Sequence, residues 1–155
     1  MVGHQVLVLI IGVRVPVPQP RSNVVFWYHK FMTREEVKKL IDTYGKAWET
    51  KDPDLAVSIF TEDATYDDPH EPLNSGKEAI RQYWIKKVIG EQDQIEFHLR
   101  DFWIDGDTVI AEWDATFIDI KRNMHIDMTE VAIFEMRDGK FSSLREYYRT
   151  KKTII

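Results

Sequence analysis

At about Gln94 the hydrophobic period of this chain changes, and that change restricts the fold more than any other feature. Before it, Val37, Leu40, Ile41, Tyr44 and Trp48 recur at helical spacing, which puts Tyr44 and Trp48 one turn apart on the buried face. After it, Ile95, Phe97 and Leu99 alternate with Glu96, His98 and Arg100, the period of a strand with one face buried. Turn signals divide the remainder: Asp105-Gly106, Lys121-Arg122-Asn123 and Asp138-Gly139 separate strands predicted at about 94–104, 107–120, 124–137 and 140–150.

The first half carries helix punctuation. Thr33-Arg34-Glu35-Glu36 is a capping box and predicts a helix over 33–50. Asp52-Pro53 is an N-cap followed by proline at the first helical position, opening a short helix over 53–60. Ser75-Gly76-Lys77-Glu78 reads as a second capping box, starting a helix over 76–88 with Ile80, Tyr83, Trp84 and Val88 inward. Between these helices, Ala64-Thr65-Tyr66-Asp67-Asp68-Pro69 reads as one strand. Proline holds its predecessor extended, so Asp68 is predicted at the strand's end on the face of Ala64 and Tyr66, aimed into the hollow. The class is α+β: about three helices packed on one strongly curved, mostly antiparallel sheet.

A chain of 155 residues is expected to form one domain, and 43% apolar residues supply a core without metals or disulfides. The absence of cysteine excludes thiol catalysis, cysteine-ligated zinc and disulfides, and is compatible with a cytoplasmic location. The net charge is −5, although the first 32 residues carry Arg14, Arg21 and Lys30 and no acid. The acidic remainder argues against nucleic acid as a partner. Val6 to Val13 is apolar but too short to span a membrane, and Pro16, Pro18 and Pro20 favour extended chain. Residues 1–32 are therefore read as an extended tail, 33–150 as the domain and 151–155 as a C-terminal tail.

Asp68 is the first candidate for chemistry, as a carboxylate at the mouth of an aromatic cavity suited to act as general base. Tyr44 offers a phenol from the buried helix face. Glu146 lies in phase with Leu144 and Tyr148, so it points inward if Leu144 does, and a buried acid needs a partner. On the strand over 107–120, Trp113 is favoured inward over Glu112 and Asp114, because an aromatic wall costs less desolvation than two carboxylates. Asp67, Asp68, His70 and Glu71 match no established metal-ligand spacing, so neither metal nor cofactor is expected.

Taken together, Tyr44-x-x-x-Trp48, Asp52-Pro53-Asp54, the run from Phe60 to Pro69, Gly76-Lys77-Glu78-Ala79-Ile80, Arg137-Asp138-Gly139-Lys140 and Leu144-Arg145-Glu146-Tyr147-Tyr148 resemble the NTF2-like superfamily. That superfamily includes the SnoaL-like polyketide cyclases, ketosteroid isomerases and limonene epoxide hydrolases. The resemblance covers about 33–150 and implies an NTF2-like cone with a pocket for a small apolar ligand, no cofactor, and a homodimer through the convex sheet face. His98, Arg145 and Tyr147 would line that contact.

Alignment with the isomerases puts Asp68 on the base and Tyr44 on the enolate donor. Their protonated Asp falls on Ala132, with Glu130 two residues earlier on the same face. Alignment with the epoxide hydrolases puts Tyr66 and Asp68 on the water-holding Tyr and Asn, and Glu146 on the last-strand Asp. The Arg and second Asp of that relay fall on Trp113 and Ala115. The resemblance thus implies cofactor-free acid/base chemistry of isomerase, cyclase or hydrolase type. Asp68, Tyr44 and Glu146 would be the catalytic residues, with Tyr66, Trp48, Trp113, Glu130 and Tyr148 around the substrate. The alternative is a non-catalytic binding or dimerisation module. A hollow of roughly 300 Å³ or more favours a ligand site, and a Trp-filled interior favours the module.

Overall fold

The computed structural model describes residues 32–155. Apart from Met32, the expected N-terminal extension lies outside the described residues. Met32 itself packs against the core.

Helix α1 (Arg34–Thr50) opens on the predicted box: Thr33 Oγ1 accepts from Glu36 N at 3.2 Å, and Thr33 N donates to the Glu36 carboxylate at 2.8 Å. It ends where Lys51 adopts a left-handed conformation. Asp52 Oδ1 then accepts from Asp54 N and Leu55 N, starting α2 (Pro53–Ser58). This helix is shorter than the span to residue 60, because Phe60 already belongs to strand β1 (Phe60–Asp67).

A two-residue strand, β2 (Asn74–Ser75), pairs back on β1 with Ser75 opposite Thr65. That pairing removes Ser75 from the cap position expected of it. Gly76, at φ 87°, becomes the residue before α3 (Lys77–Trp84), and no side chain caps the helix. Beyond Trp84 the helix widens into a π turn, Ile85–Ile89.

Four long strands follow: β3 (Gln92–Asp105), β4 (Thr108–Asp119), β5 (Met124–Arg137) and β6 (Lys140–Ile154). The sheet order is β2-β1-β6-β5-β4-β3, antiparallel throughout except for the parallel β1–β6 pair. Register shifts at Asp93/Glu96 and Leu99/Asp101 insert extra residues into β3, and Gln94 has φ 50° at the first. Bulges of this kind bend a sheet and increase its twist, which lets β3 wrap α1. Strand β6 passes the expected boundary at residue 150 and pairs Lys151 to Ile154 with Asp127 to Met124, so these residues are sheet rather than tail.

The alternation assigns the faces. Along β4, Val109, Ala111, Trp113, Ala115 and Phe117 are buried, whereas Glu112 and Asp114 turn outward and both bind Arg100, at 2.9 and 2.6 Å. One position shows how closely α1 lies on the sheet. A Cβ on Gly45 would stand 2.2 Å from the Phe97 ring, so only glycine fits there without displacement. No helix among the described residues is long and apolar enough to cross a membrane.

Candidate active site

The inner face of the sheet, covered by α1 and α3, encloses an open-ended cavity of about 440 Å³. Seven of the eight sequence-predicted site residues line it: Tyr44, Trp48, Tyr66, Asp68, Glu130, Glu146 and Tyr148. Trp113 does not. It points inward as expected, but its ring packs behind Tyr44 at 5.5 Å and Phe97 at 5.3 Å, and its Nε1 donates to Glu130 Oε2 at 3.2 Å. It supports the floor of the cavity from behind because Tyr44 and Glu130 cover it.

The polar groups form two clusters. In the deeper one, Glu146 Oε1 accepts from Tyr44 Oη at 2.9 Å and from Tyr66 Oη, while the two phenols lie 2.8 Å apart. Burial pushes both phenols well above the usual tyrosine range, and the Glu146 charge adds to it. They therefore stay protonated and act as donors. Three oxygens thus make three close contacts with two phenol protons, and a proton on Glu146 would complete the ring. Both clamping bonds fall on Oε1. The Glu130 carboxyl is a further hydrogen-bonding neighbour of Glu146.

Glu146 is pushed up to about 7. Burial is the largest cause, and the charge of Asp68 acts in the same direction. The phenol bonds from Tyr66 and Tyr44 oppose it by favouring the carboxylate. The result is a carboxyl group that exchanges a proton near neutrality, a range useful to a general base.

Glu130 sits beside this group on the neighbouring strand, two pairs away in register and on the same face: Glu130 faces Tyr148, and Glu146 faces Ala132. It is only 2% exposed, and its Oε1 accepts no hydrogen bond among the described residues. Burial raises its pKa well above the carboxylate range, with the Glu146 charge second. As a neutral acid, Glu130 can donate through the oxygen that otherwise has no partner, and interaction with Glu146 favours that form. It occupies a different strand position from Ala132, where the isomerase alignment puts the protonated acid.

The second cluster is nearer the opening. Asp68 follows β1 and is buried on the face of Ala64 and Tyr66, as its Asp-Pro step predicts. Its Oδ1 accepts from Tyr148 Oη and His70 N, each at 2.9 Å, and its Oδ2 accepts from Tyr83 Oη at 2.7 Å. Both oxygens are thus engaged, one of them by the following loop. Tyr83 was read from the sequence only as an inward residue of its helix. Its position three residues after Ile80 gave the face, but nothing in the spacing gave the hydroxyl's partner. Its ring lies 5.0 Å from that of Tyr66, so the two clusters touch.

Apolar walls separate these groups from the opening. Trp48, Trp84, Val88, Phe117, Ile126 and Met128 line the middle of the cavity. Around the mouth runs a chain of ion pairs: Glu71 binds Lys86 and Lys87, Glu91 binds Lys87 at 3.5 Å and Lys121 at 2.7 Å, and Arg122 binds Asp119 at 2.9 Å. Glu71 and Asp68, three residues apart in the sequence, are directed to different partners by the intervening turn.

The SnoaL-like domain family matches residues 40–144. No curated protein matches the chain by sequence. Among solved structures, a putative isomerase from Bacillus subtilis is similar, with 23% identity, TM-score 0.66, and 74% of this chain and 87% of that one covered. An M. tuberculosis epoxide hydrolase of the limonene epoxide hydrolase-like type has 17% identity, TM-score 0.62 and coverage of 74% and 84%. An epoxide hydrolase/cyclase-like enzyme of pyran-ring formation in salinomycin has 24% identity, TM-score 0.64 and coverage of 76% and 95%. At these identities the likeness is one of fold.

Proposed function

The chain belongs to the SnoaL-like domain family, and from that premise we propose that it is a cofactor-free acid/base enzyme acting on a small apolar substrate. Glu146 takes the proton, Tyr44 and Tyr66 hold it, and Asp68 anchors the outer wall. The observation that carries this reading is the Glu146 carboxyl at the base of the cavity, clamped through Oε1 by two buried phenols and poised at about 7. From the sequence, Asp68 is the expected base, with Tyr44 as donor and Glu146 as a further polar group of the pocket. The geometry favours Glu146, because both oxygens of Asp68 are held by Tyr148, Tyr83 and the following loop, while Glu146 has two phenols and a second acid, Glu130, beside it to relay a proton.

Ionised Glu146 would accept a proton from a substrate hydroxyl, from water, or from carbon beside a carbonyl. The electron pair left behind would close a ring, open an epoxide or move a double bond. Neutral Glu130 would donate to the developing oxyanion or return a proton. Isomerase, cyclase and hydrolase chemistry share this first step. A cavity of about 440 Å³ supports a ligand site over a filled module. We further propose a homodimer through the outward sheet face, where Trp103, Ile110, Val131 and Tyr147 are exposed.

The test is turnover of a panel of apolar epoxides, hydroxy-epoxides and unsaturated ketones, followed by mass spectrometry. A product formed by wild type and lost on Glu146→Gln, with the fold intact, is expected. Panel members that bind wild type without turning over would leave a ligand carrier in place of an enzyme.

A further inference from the structure

The cavity is a channel with unlike ends, and the strand pattern fixes its length. Alternate residues of β6, namely Glu146, Tyr148, Thr150 and Lys152, all line it. At about 3.4 Å per residue, Glu146 and Lys152 are separated by roughly 20 Å along the strand. Opposite them on β5, Glu130, Met128 and Ile126 line the same channel, with Ile126 paired to Lys152. Acids therefore occupy the inner end, apolar side chains the middle, and ion pairs together with Lys152 the outer end.

The charges at the outer end do not cancel. Glu71, Glu91 and Asp119 each have a cationic partner already, in Lys87, Lys121 and Arg122. Lys152 lines the channel mouth and has no carboxylate partner among the described residues. At the inner end, Asp68 and Glu146 would repel an anion, and burial makes that repulsion stronger than in water.

We propose that the channel takes an elongated amphipathic substrate with an anionic end, a carboxylate on an apolar chain, held at the mouth by Lys152. The opposite, oxygen-bearing end is thereby directed to Glu146. This rests on reading the cavity as a ligand site and adds substrate class and orientation to it. The charge gradient orients the molecule: a carboxylate entering first would lose water and meet two acids, whereas the apolar end meets Ile126, Met128 and Trp48. Lys152 acts by specificity and does not touch the reacting atoms.

The experiment compares decanoate with decanol, which differ in the end group, by titration calorimetry of the full chain at pH 8. Decanoate is expected to bind wild type at least threefold more tightly than decanol at low salt, with the difference shrinking at high salt. Lys152→Glu, a change at an exposed strand end, should weaken decanoate about tenfold and leave decanol within twofold. Equal binding of the two ligands, or a Lys152→Glu variant that keeps the preference, overturns the anionic end while the apolar channel stands. Failure of both ligands to bind wild type overturns the channel and, with it, the ligand site.

Discussion

The two ends of the concave face are built from the same strands and do opposite things. At the closed end, Phe134 and Phe141 stack at 4.1 Å, Phe60 packs on Phe141 at 6.0 Å, and Leu144 and Val109 are fully buried. Every one of these side chains is apolar. Two residues along β6 from Leu144, Glu146 begins the open end, where four tyrosines share the cavity with Glu130, Glu146 and Asp68. Burial stabilises the first end, by about 25 cal/mol for each Å² of apolar surface removed from water. In the second, the same burial penalises charge and lifts Glu146 to about 7. The site exists because the closed end provides enough stability to tolerate carboxylates in the same interior.

The largest expected effect is at the closed end. Phe134→Ala removes a fully buried ring between Phe141 and Trp113 and should cost about 3–5 kcal/mol in urea unfolding. A loss below about 1 kcal/mol would mean that the stack is not what holds the sheet closed.

At the open end the sign reverses. Glu146 has an ordinary value of 4.5 and is raised to about 7 in the folded protein. Between those values the folded state binds more protons than the unfolded state. Its contribution is therefore fully present below pH 4.5 and is lost as pH rises through about 7. The loss is on the order of 3 kcal/mol by linkage. Glu130, raised in the same direction, adds to the slope. Glu146→Gln should flatten the slope and make the protein more stable than wild type at pH 8, while abolishing turnover. Thermal melts from pH 4.5 to 8 measure it, and a variant less stable than wild type at pH 8 would remove the argument for a strained acid.

How much of this was legible depends on how local the signal was. The Thr33–Glu36 box, the Asp52 cap and the alternation of β4 and β6 are short-range patterns, and they placed Tyr44, Trp48 and Glu146 on the inner face. The Asp68-Pro69 step placed Asp68. The cap expected at Ser75 failed because pairing with Thr65 competes for the same residue, and that partner is remote in sequence. Trp113 was assigned the correct face but not the correct layer, since what covers it comes from α1 and β5. The contacts of Tyr83 with Asp68 and of Glu130 with Trp113 join different elements. Sequence periodicity gives a side chain's face, while partner and depth are tertiary.

A third test falls on the seam between α1 and the sheet, beside Trp113. Gly45→Ala gains helix propensity of about 1 kcal/mol, but its Cβ would overlap the Phe97 ring. Overpacking of this kind costs about 1–3 kcal/mol, so the net expectation is a loss of about 1 kcal/mol. Gly45→Ala,Phe97→Leu should recover it. A single variant as stable as wild type would show that Phe97 moves aside freely and that the seam is looser than the closed end.

The smallest effect on folding is expected on the convex face, which has neither a packed core nor a buried acid. Tyr147 lies there, 54% exposed, directly opposite Val131 on β5. Substitution at an exposed site with no special backbone or partner changes stability by about 0.5 kcal/mol or less, so Tyr147→Ser should unfold at nearly the wild-type midpoint in dilute solution. The proposed homodimer makes association, not folding, the sensitive quantity. An aromatic ring at the centre of an interface contributes far more than its neighbours. Wild type should sediment as a dimer at micromolar concentration, and Tyr147→Ser should shift it toward monomer with circular dichroism unchanged. Wild type sedimenting only as monomer would leave Trp103, Ile110 and Val131 as an uncovered apolar face and would withdraw the dimer.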